Sequence, residues 1–167
     1  MIKVGFIGAV SKEWMGGLNY FNNLLFAIDS LNNKELQIFV FVGKKTDEDI
    51  KNMFRKYATV IEDRIFDRKS LKWFLMKLEQ KIFKTNFLLE NILKKYDIQL
   101  LSHTSITKFK NIKTINWIPD FQHIHLPQMF SQKEIKSRDK SFMQIIKESD
   151  VVVLSSFDAL TDLKNFS

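Results

Sequence analysis

The sequence predicts an α/β fold: a mostly parallel sheet of about six strands with helices on both faces, arranged as a three-layer sandwich. Two observations predict it. Apolar runs at 2–7, 36–42, 58–61, 98–101, 112–118 and 150–154 alternate with segments of helical period, which is the pattern of a sheet built from strand–helix–strand units. The chain has 167 residues, of which 45% are hydrophobic and 16 are phenylalanine. That is enough to bury a core without covalent staples and too apolar for a disordered chain. One domain spanning 1–167 is expected, since no repeat, low-complexity tract or Pro/Gly linker interrupts it.

The first strand follows directly from Met1 in Ile2-Lys3-Val4-Gly5-Phe6-Ile7. It is too short for the apolar region of a signal peptide. The segment Gly8-Ala9-Val10-Ser11-Lys12-Glu13-Trp14-Met15-Gly16-Gly17 then leads into the first helix, whose Leu18, Phe21, Leu25 and Ile28 fall on one face. A glycine pair at a helix start lets backbone approach a ligand, and the unpaired N–H groups there favour phosphate. The same pair also serves a plain tight turn. Gly5 and Gly8 do not form the dinucleotide fingerprint, and the second strand ends in Gly43-Lys44-Lys45 rather than an acid. NAD and ATP sites are therefore not expected.

Thr46-Asp47-Glu48-Asp49 and Ser131-Gln132-Lys133-Glu134 each fit a capping box that starts a helix. Residues 64–84 carry seven basic side chains against two acids, a net +5. Read as a helix, this stretch places Leu71, Leu75, Leu78 and Ile82 toward the core, with Lys72, Trp73, Lys77, Lys81 and Lys84 as a candidate membrane-surface set. Trp among lysines suits an anionic bilayer, and a solvated charged face is the plainer alternative. The formal charge of the chain is +7, which points the same way without choosing among polyanions. No helix-turn-helix, RNA-recognition or zinc motif accompanies the charge, so nucleic acid is not the expected partner.

The fourth strand ends in Leu100-Leu101-Ser102-His103 and the fifth in Trp117-Ile118-Pro119-Asp120-Phe121-Gln122-His123-Ile124-His125-Leu126-Pro127. Ligands of open parallel sheets bind beyond the carboxyl ends of the strands, so His103, Asp120 and His123 are expected to face a cleft. Asp120 could act as a base or hold a hydroxyl, and His123 could exchange a proton near neutral pH. His125 is the other candidate imidazole. No third ligand accompanies the two histidines, so metal binding is not expected. Ser155 and Ser156 close the sixth strand, where a hydroxyl could bind substrate or only cap the last helix. The chain has no cysteine, which removes disulfides, thiolate metal sites and cysteine nucleophiles. With no bilayer-spanning run, a cytoplasmic location is expected.

Together, Gly16-Gly17, the Trp117–Pro127 motif, Glu134, Arg138 and Ser149-Asp150-Val151-Val152-Val153-Leu154-Ser155-Ser156 resemble the N-terminal lobe of GT-B glycosyltransferases, nearest the family-four, group-1 type. The resemblance covers nearly the whole chain. It implies a Rossmann-like lobe of a retaining glycosyltransferase that moves a sugar from a nucleotide-sugar donor to a glycan or lipid-linked acceptor, without a required metal or further cofactor. It implies that Gly16 and Gly17 approach the donor diphosphate and that Asp120 and His123 stand at the reaction centre, while the strand-end positions of His103 and Ser156 make them the candidate substrate-binding residues. Pro119 stands where relatives often have histidine, so that role passes to His123 or is lost. The C-terminal, donor-binding lobe is absent from this chain, and the 167 residues alone are expected to be inactive. The envelope chemistry of such enzymes implies the inner face of the plasma membrane. A noncatalytic binding or membrane-docking module on the same fold is the alternative.

Overall fold

The computed structural model describes residues 1–8, 15–106 and 109–166. The architecture is α/β, with a six-stranded parallel sheet flanked by helices and strand order β3-β2-β1-β4-β5-β6. The strands are β1 (Ile2–Ile7), β2 (Leu36–Val42), β3 (Thr59–Glu62), β4 (Leu100–Thr104), β5 (Lys113–Ile118) and β6 (Val151–Leu154). All six fall on the apolar runs of the sequence to within three residues at either end, and order 3-2-1-4-5-6 is that of the Rossmann sheet. The contacts gather into two compact units, Met1–Leu101 and Ser102–Ser167.

In the first unit β2 pairs in parallel with β1, Val4 opposite Ile38, and with β3, Val40 opposite Val60. Phe39, Val40, Phe41 and Val42 are all buried. Successive strand residues point to opposite faces, so β2 is covered on both sides. The helices of this unit are α1 (Met15–Ser30), α2 (Glu48–Arg55), α3 (Leu71–Ile82) and α4 (Phe87–Lys95). Right-handed crossovers put α1 and α2 on one face and the α3–α4 connection on the other.

Side-chain contacts agree with that assignment. Phe6 meets Phe21 of α1 edge-on at 6.3 Å between ring centroids. Phe41 points the other way, to Phe66 at 5.9 Å and to Tyr96, just after α4, at 5.8 Å. Gly8 closes β1 where a Cβ would lie 2.8 Å from Val40 Cγ1 and 2.9 Å from both the Phe54 ring and Val42 Cγ1. Only a hydrogen fits there.

Helix α1 spans Met15–Ser30 and includes the glycine pair; residues 9–14, the rest of the segment before it, lie outside the described residues. Phe21 and Leu25 are buried as expected, with Leu18 and Ile28 half-buried. Helix α2 is capped by Asp47, whose carboxylate accepts from Asp49 N at 2.9 Å, rather than by Thr46. A carboxylate at the N-cap also meets the positive end of the helix dipole, which a hydroxyl does less well.

Helix α3 departs from expectation. Leu71, Leu75, Leu78 and Ile82, read as its core stripe, are exposed, whereas Met76 is buried and Trp73 half-buried. The helix carries two apolar faces, and the wider one is not the one that packs.

The second unit contains α5 (Gln122–His125), α6 (Gln132–Glu148) and α7 (Phe157–Phe166). Strands β5 and β6 pair in parallel, Ile115 opposite Val151. Ile118, Phe121, Phe142, Ile145 and Ala159 form its core, with Leu154, Leu163 and Phe166 against them. Ser131 and Glu134 form the capping box of α6 that the sequence indicates. Asp150 ties the amino ends of the two strands, accepting from Lys113 Nζ at 2.7 Å and Thr114 N at 2.9 Å. The Lys113 ammonium holds the Asp150 carboxyl below its ordinary value.

Gly8→Ala is expected to lower stability in urea unfolding by about 1–3 kcal/mol through overpacking. Gly16→Ala, where the added Cβ meets nothing within 4 Å among the described residues, is expected to be neutral or to stabilise by up to about 0.5 kcal/mol.

Candidate functional site

The polar side chains of the second unit collect where its strands end. His103 closes β4 with φ 50, the left-handed region, inside a strand. A non-glycine residue held there costs on the order of 1 kcal/mol, and such residues cluster at functional sites. Its Nδ1 lies 2.8 Å from Ser102 Oγ, and its ring centroid is 5.9 Å from that of Trp117 on β5. Burial pushes the His103 pKa down to about 4. The imidazole is therefore neutral at pH 7. Trp117 in turn donates Nε1–H to Ser155 Oγ at 3.0 Å, linking the ends of β5 and β6.

Beyond β5 the chain turns sharply. Asp120 Oδ1 accepts from Gln122 N at 3.1 Å, an Asx-type turn that starts the single helical turn α5. The same oxygen lies 3.5 Å from Arg138 Nη1, and the Arg138 guanidinium stacks 4.7 Å over the Phe130 ring. Asp120 keeps 40% side-chain exposure, open to a ligand.

His123 does not face an open cleft. It is 1% exposed, with Phe121 stacked near it and Phe142, Phe166 and Phe130 edge-on to it. Its Nε2 bonds Asp139 Oδ1 at 3.0 Å, and its buried Nδ1 has no hydrogen-bond partner. Arg138 and Asp139 are neighbours on α6, so their side chains diverge by about 100°. One reaches Asp120 and the other reaches His123, which fixes the turn from both sides. Asp139 lies 16 positions from His123 across an irregular segment. No spacing rule could have paired them.

His125 bonds Asp162 of α7 through Nε2 at 2.8 Å, and that carboxylate raises its pKa. Ser156 Oγ accepts from Ala159 N at 3.1 Å and so caps α7. The hydroxyl is exposed and keeps its own proton to donate. Among the described residues no group of three or more His, Asp or Glu is placed to hold a metal ion.

In the first unit, Gly16 is exposed and Gly17 buried. The end of β2 is held by Asp67, which is buried and accepts from Lys45 N at 2.9 Å. A Cβ on Gly43 would collide with that carboxylate, so Gly43 is small for a structural reason. A polar cavity lined by Asp29, Asn32, Leu36, Lys56, Tyr57 and Thr59 lies in this unit at the amino ends of β2 and β3. That is the end of a parallel sheet at which ligands do not ordinarily bind.

No helix among the described residues is long and apolar enough to cross a membrane. Comparison with known protein families, with curated proteins and with solved structures finds no match to this chain.

Two outcomes follow from the imidazoles. The folded pKa of His103 lies below the unfolded value, so the unfolded chain binds more protons between pH 6.5 and about 4. Its contribution to stability is lost as pH falls through that window, and His103→Asn, which tolerates the left-handed backbone, is expected to flatten the decline in melting temperature. His123→Phe fills the same aromatic shell and removes the unpartnered Nδ1. It is expected to cost less than about 1.5 kcal/mol in urea unfolding, because Asp139 is 43% exposed and can be solvated.

Proposed function

We propose that this chain is the acceptor-side, N-terminal lobe of a retaining glycosyltransferase acting in the cytoplasm on a cell-surface glycan or lipid-linked acceptor. The observation that carries the proposal is His103: a neutral, backbone-strained imidazole at the carboxyl end of β4, beside Trp117. A half-buried uncharged group beside an aromatic face suits an uncharged polyol better than a charged ligand, since the sugar ring needs an apolar surface to lie against. Asp120, half-exposed at the end of β5, supplies a carboxylate to hold or deprotonate an acceptor hydroxyl.

Gly16 adds support from the first unit. Among the described residues nothing packs where its side chain would be, and backbone approach by a donor diphosphate gives glycine a use there. His123 enters as a positioning residue. Through Asp139 it anchors the same turn that Arg138 anchors through Asp120, and so sets the carboxylate's place. Ser156 has a proton left to donate to a substrate oxygen while capping α7. A second lobe supplies the nucleotide-sugar site, and the sugar and base are selected there.

A noncatalytic membrane-docking module on the same fold is the second reading, favoured by the exposed leucines of α3. Nucleoside diphosphate release separates the two. Paired with its second lobe, on the same polypeptide or as a separate subunit, the chain is expected to turn over one class of nucleotide sugar, while the 167 residues alone release nothing. Asp120→Asn keeps the acceptor for Gln122 N and is expected to lower kcat by about 100-fold or more with melting unchanged. His123→Phe should lower kcat less. Absence of release across a donor panel, or wild-type turnover in Asp120→Asn, rejects the assignment.

A further inference from the structure

The face of α3 that the fold leaves uncovered is the strongest unassigned feature of the molecule. Leu71, Phe74, Leu75, Leu78, Ile82 and the following Phe83 are all exposed, Leu71 at 75% and Phe83 at 70%. At about 100° per residue, Leu71, Phe74, Leu75, Leu78 and Ile82 fall within a stripe roughly 100° wide. Trp73, Met76 and Gln80 turn the opposite way and make the packing contact. An apolar surface of this kind is retained only where something covers it.

The charges bordering the stripe say what covers it. Lys77 and Lys81 lie exposed along one edge, and the other edge carries Lys72, which Asp63 neutralises, and Glu79. The acids nearby are committed elsewhere: Asp63 pairs with Lys72, and Glu79 accepts from Thr85 Oγ1 and the backbone N–H of Phe87 and Leu88. Among the described residues no acid pairs with Lys81 or Lys84.

Both ends of the helix carry a further lysine at a backbone cost. Lys69, before the N-cap Ser70, has φ 70, and Lys84, after the C-cap Phe83, has φ 56. Glycine or asparagine would sit in that left-handed region more easily. At Lys84 a cation also suits the negative end of the helix dipole, whereas at Lys69, by the positive end, local structure gives no reason for lysine.

We propose that this face of α3 docks on an anionic lipid bilayer, the apolar stripe entering the headgroup boundary and the lysines around it meeting the lipid charge. A lipid surface is favoured over a second copy of this chain because the border is basic along the edge of Lys77 and Lys81 and at both ends. Two such borders would repel each other. Docking stands whether or not the chain transfers sugar.

The test is sedimentation of the protein with vesicles of phosphatidylglycerol and of phosphatidylcholine. Binding is expected to the first and not the second, and to fall away at about 1 M salt, where charges are screened beyond roughly 3 Å. Leu71→Glu/Phe74→Glu/Ile82→Glu alters only exposed positions and is expected to abolish binding with melting unchanged. Lys69→Gly and Lys84→Gly relieve the left-handed strain. Each is expected to raise the melting temperature while weakening vesicle binding about fivefold, a split that a purely structural lysine would not give. Equal partition onto both vesicles, undiminished binding by the triple variant, or a solution dimer that the triple variant dissociates without any vesicle binding by the wild type overturns the proposal.

Discussion

Burial of consecutive residues along β2 is the constraint on which the first unit depends. Phe39 to Val42 leave the solvent on both faces of the sheet, so neither face can be left to water. Parallel pairing to β1 and β3 forces each return of the chain to cross over the sheet, and the crossover handedness sends α1 and α2 to one side and the α3–α4 connection to the other. Contacts then become tight enough that Gly8 admits no Cβ between Val40, Val42 and Phe54. Close packing on both faces leaves the strand ends as the place where polar side chains find room.

The second unit solves a different problem, that of holding an irregular turn after β5. Pro119 and Asp120 end the strand, and only a single helical turn follows before Pro127. Such a segment has few backbone hydrogen bonds of its own. Arg138 and Asp139 supply the missing constraint from α6, with the phenylalanine shell around His123 filling the space between. Within this turn Asp120 keeps solvent access while His123 does not, although both stand in the same short motif. A residue at the same end of the sheet, His103, is held in a backbone region that strands avoid, and burial keeps it neutral. His103 stands beside an indole fixed by Ser155, and Asp120 stands half-exposed just after β5.

Helix α3 shows how far amphipathic pattern can mislead. Leu71, Leu75, Leu78 and Ile82 make the longer apolar stripe, and a periodicity count chooses them for the core. The helix instead buries the short face of Trp73, Met76 and Gln80. The sheet strands and α4 already enclose the apolar interior, so little remains for α3 to cover. What looked like a basic exposed face with a hidden leucine core is a leucine face bordered by lysines. Where the surplus apolar surface goes is set by the neighbours rather than by the helix.

The sequence by itself determined the α/β class, the six strands, the capping box at Ser131 and the cluster of polar residues after the fourth, fifth and sixth strands. These are properties of local pattern: runs that fit a pleated surface, hydroxyls and carboxylates that satisfy helix-end N–H groups, and proline that stops a strand. Tertiary structure alone decided that Asp47 rather than Thr46 caps α2, that His123 is enclosed while Asp120 is not, that His103 takes a left-handed backbone, and which face of α3 meets solvent. Each of those depends on residues distant in sequence that compete for the same space or the same hydrogen bond, and no local periodicity encodes the outcome of that competition.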